Sequence, residues 1–328
     1  MRGTYGTTNH DSLRLDERVR LGLMVPGGEP APLIRFARRA DSAGLDALWV
    51  GDHVAFHVPI PDSLSVLSFL AAATERVLLG TAVYLLPLRH PAHAAKAAAT
   101  IDRLSHGRLV FGVGVGGEYP PEFEASGVPM GERGARTDEA IPLVRRLWTE
   151  DAVTHRGRFF RFGPVTIAPK PETSAGPPIW IGGRAPAAMR RAGRLGDGYV
   201  STMTSPERYR ANLASIASHA AAAGRPGRPF GTGALLFTAL DDSYDAALDR
   251  AATLLGRLYA RPFREAAAKY CLLGRPEECL AQIRRFVEAG VRHVILAPLG
   301  DPDELLEAAA GDLLPAVRQL APVSPPGA

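Results

Sequence analysis

The chain has 328 residues, 46% of them hydrophobic and 22% charged, which is typical of a folded globular protein. Its net charge of +4 comes almost entirely from arginines scattered along the sequence, so we expect no nucleic-acid partner. Two cysteines are too few for a disulfide framework, and no apolar run reaches the roughly 18 residues of a membrane span. We therefore expect a cytoplasmic protein that has no membrane partner.

Short apolar runs alternate with amphipathic stretches between a polar beginning and a polar end. Residues 1–18 lack the apolar core of a signal peptide and predict a flexible extension; residues 19–320 predict one domain, and residues 321–328 a loose tail. The apolar runs predict strands at 20–25, 46–51, 77–84, 108–115, 178–183, 198–202, 231–239 and 293–298. The amphipathic stretches predict helices at 31–44, 63–74, 91–104, 133–149, 186–195, 206–223 and 303–319, with two or three more inside 243–290.

One segment departs from this alternation. Residues 152–170, within an insertion at about 150–178, have strand-like stretches on either side of Gly163-Pro164 and predict a hairpin. The remaining eight strands alternate with helices, which predicts a parallel sheet. The simplest closure of that sheet is a (β/α)₈ TIM barrel, although the pattern alone also allows an open doubly wound sheet. In a barrel, the chemistry belongs at the carboxyl ends of the strands.

A glycine-rich segment follows the fourth strand. The backbone of Gly114, Gly116 and Gly117 could approach a ligand closely, and Glu118 could contact it. The segment is not a dinucleotide fingerprint, because Pro120-Pro121 should break the chain where a helix would have to begin. The alternative is a plain turn with a solvated glutamate.

Asp52 and His53 directly follow the second strand. Histidine titrates near neutral pH and can donate or accept a proton, and Asp52 could hold its ring in one tautomer. The alternatives are that Asp52 caps the next segment and that His53 is an ordinary polar loop residue.

Gly182, Gly183 and Arg184 precede a helix that begins near Pro186. Free N–H groups at a helix start bind phosphate, and Arg184 would add a fixed positive charge. The alternative is a helix-start turn with a surface arginine. The other histidines have no metal-binding spacing, so we expect no metal site.

Ordered motifs over about residues 20–300 resemble the bacterial luciferase-like monooxygenases and coenzyme F420-dependent oxidoreductases. The motifs are LGTAV at 79–83, LLPLRHP at 85–91, ATIDRLS at 99–105, GRL at 107–109, GVG at 112–114, ER at 132–133, RTDEA at 136–140, PIWIGG at 178–183 and LGDG at 195–198.

The resemblance implies a (β/α)₈ barrel with an isoalloxazine or deazaflavin ring lying across the strand ends. Some members use reduced FMN and oxygen, and others use F420 for hydride transfer. In the F420 branch an Asp-His pair matching Asp52-His53 lies beside the ring, and Glu118 lies near the position of a catalytic glutamate. The resemblance also implies a non-proline cis peptide near Ala82-Val83, backing the ring.

We therefore expect F420-dependent hydride transfer with a small organic substrate, in which His53 donates or accepts the proton and Asp52 orients it. The alternatives are an FMN-dependent monooxygenase and a non-catalytic flavin-binding barrel. The residues expected to contact the cofactor are Asp52, Ala82, Val83, Gly114, Gly116, Gly117, Gly182, Gly183, Arg184 and Thr202. We expect substrate to enter between the 53–62 loop, the 152–170 insertion and the 254–272 segment, and we expect the homodimer that is common in the resembling family.

Overall fold

A closed barrel of eight parallel strands is the centre of the structure, a computed structural model that describes residues 9–10 and 13–320. Each strand pairs with its neighbours in chain order, and the eighth pairs back with the first. The strands are β1 (Arg20–Met24), β2 (Ala47–Val50), β3 (Leu78–Thr81), β4 (Leu109–Gly114), β5 (Ile179–Gly182), β6 (Gly198–Thr202), β7 (Gly231–Leu240) and β8 (His293–Pro298). This closure confirms the predicted (β/α)₈ barrel and excludes the open sheet.

Helices surround the barrel. They are α1 (Pro30–Ser42), α2 (Ser63–Ala73), α3 (Pro91–Leu104), α4 (Pro120–Ala125), α5 (Arg133–Thr149), α6 (Pro186–Leu195), α7 (Pro206–Ala222), α8 (Tyr244–Tyr259), α9 (Arg264–Tyr270), α10 (Pro276–Glu288), α11 (Pro302–Ala308) and α12 (Leu314–Arg318). A π-helical turn at Ala309–Leu313 interrupts the single helix predicted at 303–319. No described helix combines the length and apolar character that crossing a bilayer requires.

Helix α4 was not predicted, because Pro120 and Pro121 were expected to break the chain. They instead occupy the first two helical positions, where a missing N–H removes no hydrogen bond. The glycine-rich segment therefore leads from β4 into a short helix, and Glu122 on that helix is fully buried.

Two tryptophans fill the inside of the barrel. Trp49 of β2 and Trp180 of β5 are buried with their ring centroids 5.5 Å apart, and His293 of β8 lies edge-on to both. Gly198 of β6 makes room for the second ring, since a Cβ there would lie 2.5 Å from Trp180. The interior is thus a packed core, as small barrels require, and the larger apolar core lies between the strands and the helices.

The insertion forms the predicted hairpin, with strands Val153–Arg156 and Arg161–Val165. The turn was placed wrongly: it lies at residues 157–160, and Gly163-Pro164 are inside the second strand. The Glu139 carboxylate of α5 explains this position, because it accepts hydrogen bonds from the backbone N–H groups of the turn at 3.0–3.3 Å. The hairpin therefore packs on α5, and its aromatic rings reach His90 at the start of α3.

The predicted N-terminal boundary needs correction. Leu13–Arg14 pairs in parallel with Arg228–Pro229, and Leu13 and Leu15 are buried against the barrel. Residues 13–18 therefore belong to the folded body rather than to a flexible extension, because their leucines supply core surface. The rest of the predicted extension, at 1–8 and 11–12, and the predicted tail at 321–328 lie outside the described residues.

Candidate active site

His53 lies where β2 ends, at the carboxyl end of the barrel, which we call the mouth. Its Nδ1 is 3.1 Å from Oε2 and 3.2 Å from Oε1 of Glu122. The Val54 N–H also donates to Glu122, at 3.1 Å. The histidine side chain is 16% exposed and the glutamate side chain 0%, so the ring faces the mouth with a buried carboxylate behind it.

Asp52 does not orient His53, contrary to the prediction. Its buried carboxylate forms an ion pair with both terminal nitrogens of Arg89, and it accepts hydrogen bonds from the Leu85 N–H at 2.9 Å and the Ser63 hydroxyl at 3.0 Å. These four donors give each oxygen of the carboxylate two hydrogen bonds. They connect the end of β2 to α2 and to the segment after β3. Asp52 therefore has a structural role: it connects the segments that border the mouth next to β2.

The cis peptide Ala82-Val83 is present, as the resemblance implied. The Val83 side chain points across the barrel towards two glycines that were predicted to contact a cofactor. A Cβ on Gly182 would lie 2.6 Å from Val83 Cγ1, and a Cβ on Gly114 would collide with Val83 Cγ2. Both glycines therefore make room for Val83, which forms part of the floor of the mouth.

Gly116 and Gly117 adopt φ values of +64° and +122°, which favour glycine. This turn brings Gly117 against Arg133 at the start of α5, because a Cβ on Gly117 would lie 3.4 Å from Arg133 Nε. The Arg133 guanidinium donates to the Met130 carbonyl at 2.7 Å. The buried Arg133 Nε has no hydrogen-bond partner among the described residues, so an N–H donor remains available beside this turn.

Gly183 and Arg184 precede α6 as predicted. The Tyr199 hydroxyl donates to the Gly183 carbonyl at 3.0 Å, and Asn212 donates to that hydroxyl at 3.0 Å, so the turn is held from below. Arg184 is exposed at the rim of the mouth. Thr202 ends β6 beside this turn, and its buried hydroxyl has no partner within the described part of the chain.

Glu118 is exposed at the rim, and the carboxylate in contact with His53 is that of Glu122. Burial raises the pKa of Tyr259 to about 12, the Glu118 charge adds to this effect, and the Arg184 charge opposes it. Since both charges act on one hydroxyl, the β4 loop, the α6 turn and the end of α8 converge on the same side of the mouth.

An aromatic cluster covers the mouth next to His53. The Phe56 ring stacks on the His53 ring with centroids 4.0 Å apart and planes 20° apart. Phe56 also lies edge-on to Tyr119 and to Tyr259, each with centroids 6.0 Å apart. These contacts join the 53–62 loop to Tyr259 at the end of α8. The loop and the 254–272 segment, which contains Tyr259, are two of the three segments predicted to border the substrate pocket.

The third predicted segment is not at this cluster. The hairpin of the insertion makes its hydrogen bonds and ring contacts with α3 and α5, on the outside of the barrel. The sequence of the insertion does not fix the direction in which its hairpin folds back. The mouth is bordered instead by the Phe56 loop, Tyr119 and Tyr259.

The mouth fits a flat ring with an anionic tail better than it fits a metal ion. Arg184 is exposed beside the α6 turn, and the buried Arg133 Nε and Thr202 hydroxyl have no partner among the described residues. Within the described part of the chain, no three His, Cys, Asp or Glu side chains gather as a metal site requires.

Sequence reasoning missed two residues of the site, Glu122 and Arg89. Glu122 is 69 positions from His53 and Arg89 is 37 from Asp52, so no local spacing connects them. Two signals could have found them: a carboxylate directly after the Pro-Pro helix start, and an arginine inside the LLPLRHP motif.

Comparisons with known proteins agree with this geometry. The family model for luciferase-like monooxygenases matches residues 15–293. An F420-dependent glucose-6-phosphate dehydrogenase of Amycolatopsis mediterranei is 30% identical, over 89% of this chain and 96% of the relative. A structure of an F420-dependent secondary alcohol dehydrogenase with an F420-acetone adduct superposes with a TM-score of 0.83 at 22% identity, covering 92% of this chain and 100% of that one.

A monooxygenase from Streptomyces bottropensis superposes with a TM-score of 0.79 at 28% identity, covering 90% of this chain and 99% of the other. The match of the family model extends from Leu15 to His293, the first residue of β8, and the curated relative is aligned over nearly all of its length. The chain belongs to the luciferase-like monooxygenase family.

Proposed function

We propose that this protein is an F420-dependent oxidoreductase that transfers a hydride between the deazaflavin and a small organic substrate at the barrel mouth. The observation that carries the proposal is a histidine facing the mouth from the end of β2, backed by a buried carboxylate, in a chain whose curated relative is an F420-dependent dehydrogenase. Bound F420 would supply the hydride acceptor or donor, and the protein would position it and exclude water.

The residues of the mouth have separable roles in this proposal. Gly116, Gly117 and Gly183 would let the backbone approach the cofactor, and Arg184 and Thr202 would bind polar groups of its tail. Ala82 and Val83 would support the ring from below. Glu118 is exposed at the rim, where it would contact the ligand and would not contact His53.

His53 handles the proton. When a hydride leaves the carbon of an alcohol with the two bonding electrons, the hydroxyl must also lose a proton for a carbonyl to form. His53 would accept that proton and would return it in the reverse direction. The aromatic cluster of Phe56, Tyr119 and Tyr259 would keep bulk water away from this exchange.

Separate titrations of the apo-protein with F420 and with FMN test the cofactor. At F420 concentrations 100 times the Kd, binding to the native state adds about 2.7 kcal/mol of stability. For a chain of 328 residues this raises the Tm by roughly 4 °C, measured by differential scanning fluorimetry. Turnover is then followed by F420 absorbance with glucose 6-phosphate and 2-propanol, and His53→Ala should keep the F420 binding and lose the turnover.

Other outcomes favour the other candidates. FMN binding with oxygen-dependent turnover and no F420 affinity would replace the proposal by an FMN-dependent monooxygenase. The structure from Streptomyces bottropensis is named as a monooxygenase. Cofactor binding without turnover over a broad substrate panel would indicate a non-catalytic barrel. The proposal also includes a cytoplasmic homodimer, which the family resemblance supports, and light scattering of the purified protein measures its mass.

A further inference from the structure

Several carboxylates lie near the end of β2, and the one in contact with His53 is that of Glu122. Asp52 is used by Arg89, and Glu118 is exposed at the rim. Glu122 presents both of its oxygens to His53 Nδ1, at 3.1 and 3.2 Å. We propose that Glu122 is the positioning residue of His53: it fixes the proton on Nδ1 and leaves Nε2 as the nitrogen that serves the reaction.

The chemistry of Glu122 determines the tautomer. An ionised carboxylate only accepts hydrogen bonds, and a buried one is costly unless donors satisfy it. The Val54 N–H is one donor, and His53 Nδ1 is the other group within hydrogen-bonding distance. Nδ1 must therefore carry a hydrogen in both the neutral and the charged ring, and the proton that comes and goes is on Nε2.

A second contact fixes the plane of the ring. Phe56 stacks on the imidazole at 4.0 Å, and Tyr119 and Tyr259 hold Phe56 from its edges. The carboxylate fixes one edge of the histidine and the phenyl ring covers one face. The Nε2 edge remains for a substrate, so the ring is oriented before any ligand binds.

The expected effect of Glu122 on kcat rests on the proposed function. The expected tautomer of His53 does not, because it is measured on the apo-protein. Long-range ¹H–¹⁵N spectra of apo-protein labelled with ¹⁵N-histidine report which ring nitrogen carries the hydrogen. The His53 signals are assigned by their loss in His53→Gln. We expect the Nδ1–H tautomer in the wild-type protein, and an Nε2–H tautomer there overturns the inference without any further variant.

Glu122→Gln is the informative substitution, because the amide keeps the shape and an acceptor for the Val54 N–H but loses the charge. We expect a mixed or reversed tautomer at His53 in the apo-protein. For the substrate that the wild-type protein turns over, we expect kcat to fall by about 10²- to 10⁴-fold with little change in KM. Glu122→Asp, which restores the charge, should recover part of kcat.

Glu124→Gln is the matched control, since Glu124 is exposed on the same short helix. It should leave the His53 spectrum and kcat unchanged. A Glu122→Gln protein with the wild-type tautomer and a kcat within twofold of wild type would refute the assignment. If the wild-type protein neither binds F420 nor uses it, the proposed function fails, while the spectra of the apo-protein still decide the role of Glu122.

Discussion

Asp52 and His53 are adjacent in the sequence, but their side chains lie in different networks. Asp52 pairs with Arg89 and accepts a hydrogen bond from Ser63 of α2, whereas His53 faces the mouth against Glu122. The anchoring ion pair is buried, with the Asp52 side chain 0% and the Arg89 side chain 18% exposed. Breaking one half of such a pair leaves an uncompensated charge in the interior.

Arg89→Met should therefore lower the free energy of unfolding by about 3–5 kcal/mol, measured by urea denaturation. The double variant Asp52→Asn/Arg89→Met should be more stable than Arg89→Met, because the orphaned charge is gone and the amide can still accept from the Leu85 N–H. Arg264→Met, which removes an exposed ion pair with Asp249, is the control and should lower the free energy of unfolding far less than Arg89→Met. Equal costs for Arg89→Met and Arg264→Met would show that burial of the Asp52 pair contributes nothing.

At the scale of elements, a carboxylate of α5 binds the turn of the hairpin. Glu139 accepts hydrogen bonds from His155 and from the backbone of the turn. Burial alone would raise the pKa of Glu139, but the hydrogen bonds from His155, Phe159 and Phe160 outweigh it, and the net pKa is lowered from 4.5. The charged form is thus favoured in the native state.

A lowered carboxyl pKa contributes stability above the unfolded pKa of about 4.5, and that contribution is lost as the pH falls through the native value. The stability difference between the wild-type protein and Glu139→Gln should therefore be larger at pH 6 than at pH 3, measured by urea denaturation at both. Glu277→Gln, at an exposed position, is the control and should give a small difference at both pH values. A Glu139→Gln difference that is independent of pH would contradict this role.

The elements themselves were largely predictable, because strands buried on both faces are continuous apolar runs and the helices have clear periodicity. The failures have two physical causes. The helix at Pro120 was missed although its two prolines occupy the first helical positions, where a local rule favours them. The turn of the hairpin and the partner of His53 are set by contacts with residues distant in the chain, Glu139 for the turn and Glu122 for His53. Local patterns predict which segments pair, and they do not predict which side chains meet between them.

At the scale of the whole molecule, the barrel interior contains a buried titratable group, His293. Burial lowers the pKa of His293 to about 3, and the neighbouring Arg20 charge acts in the same direction. Its ring lies against Trp49 and Trp180, and its Nδ1 has no partner among the described residues. The native barrel therefore holds this histidine neutral.

The unfolded chain binds a proton at His293 below about pH 6.5, and the native barrel does not until about pH 3. Stability is thus fully present above pH 6.5 and is lost as the pH falls, by up to about 1.4 kcal/mol per pH unit from this group. His293→Gln should reduce the slope of unfolding free energy between pH 7 and pH 5, even if its baseline stability differs. His93→Gln, at an exposed histidine, should keep the wild-type slope, and identical slopes for both variants would sink the prediction.

The tryptophan pair has a consequence for proton traffic. Trp49 and Trp180 close the barrel along its axis, with His293 and the flanking strands packed around them. The mouth is therefore separated from the opposite end of the barrel by a packed aromatic layer. In the proposed reaction, a proton taken up by His53 would return to solvent through the mouth, past the rings of Phe56 and Tyr119, on the side by which the substrate enters.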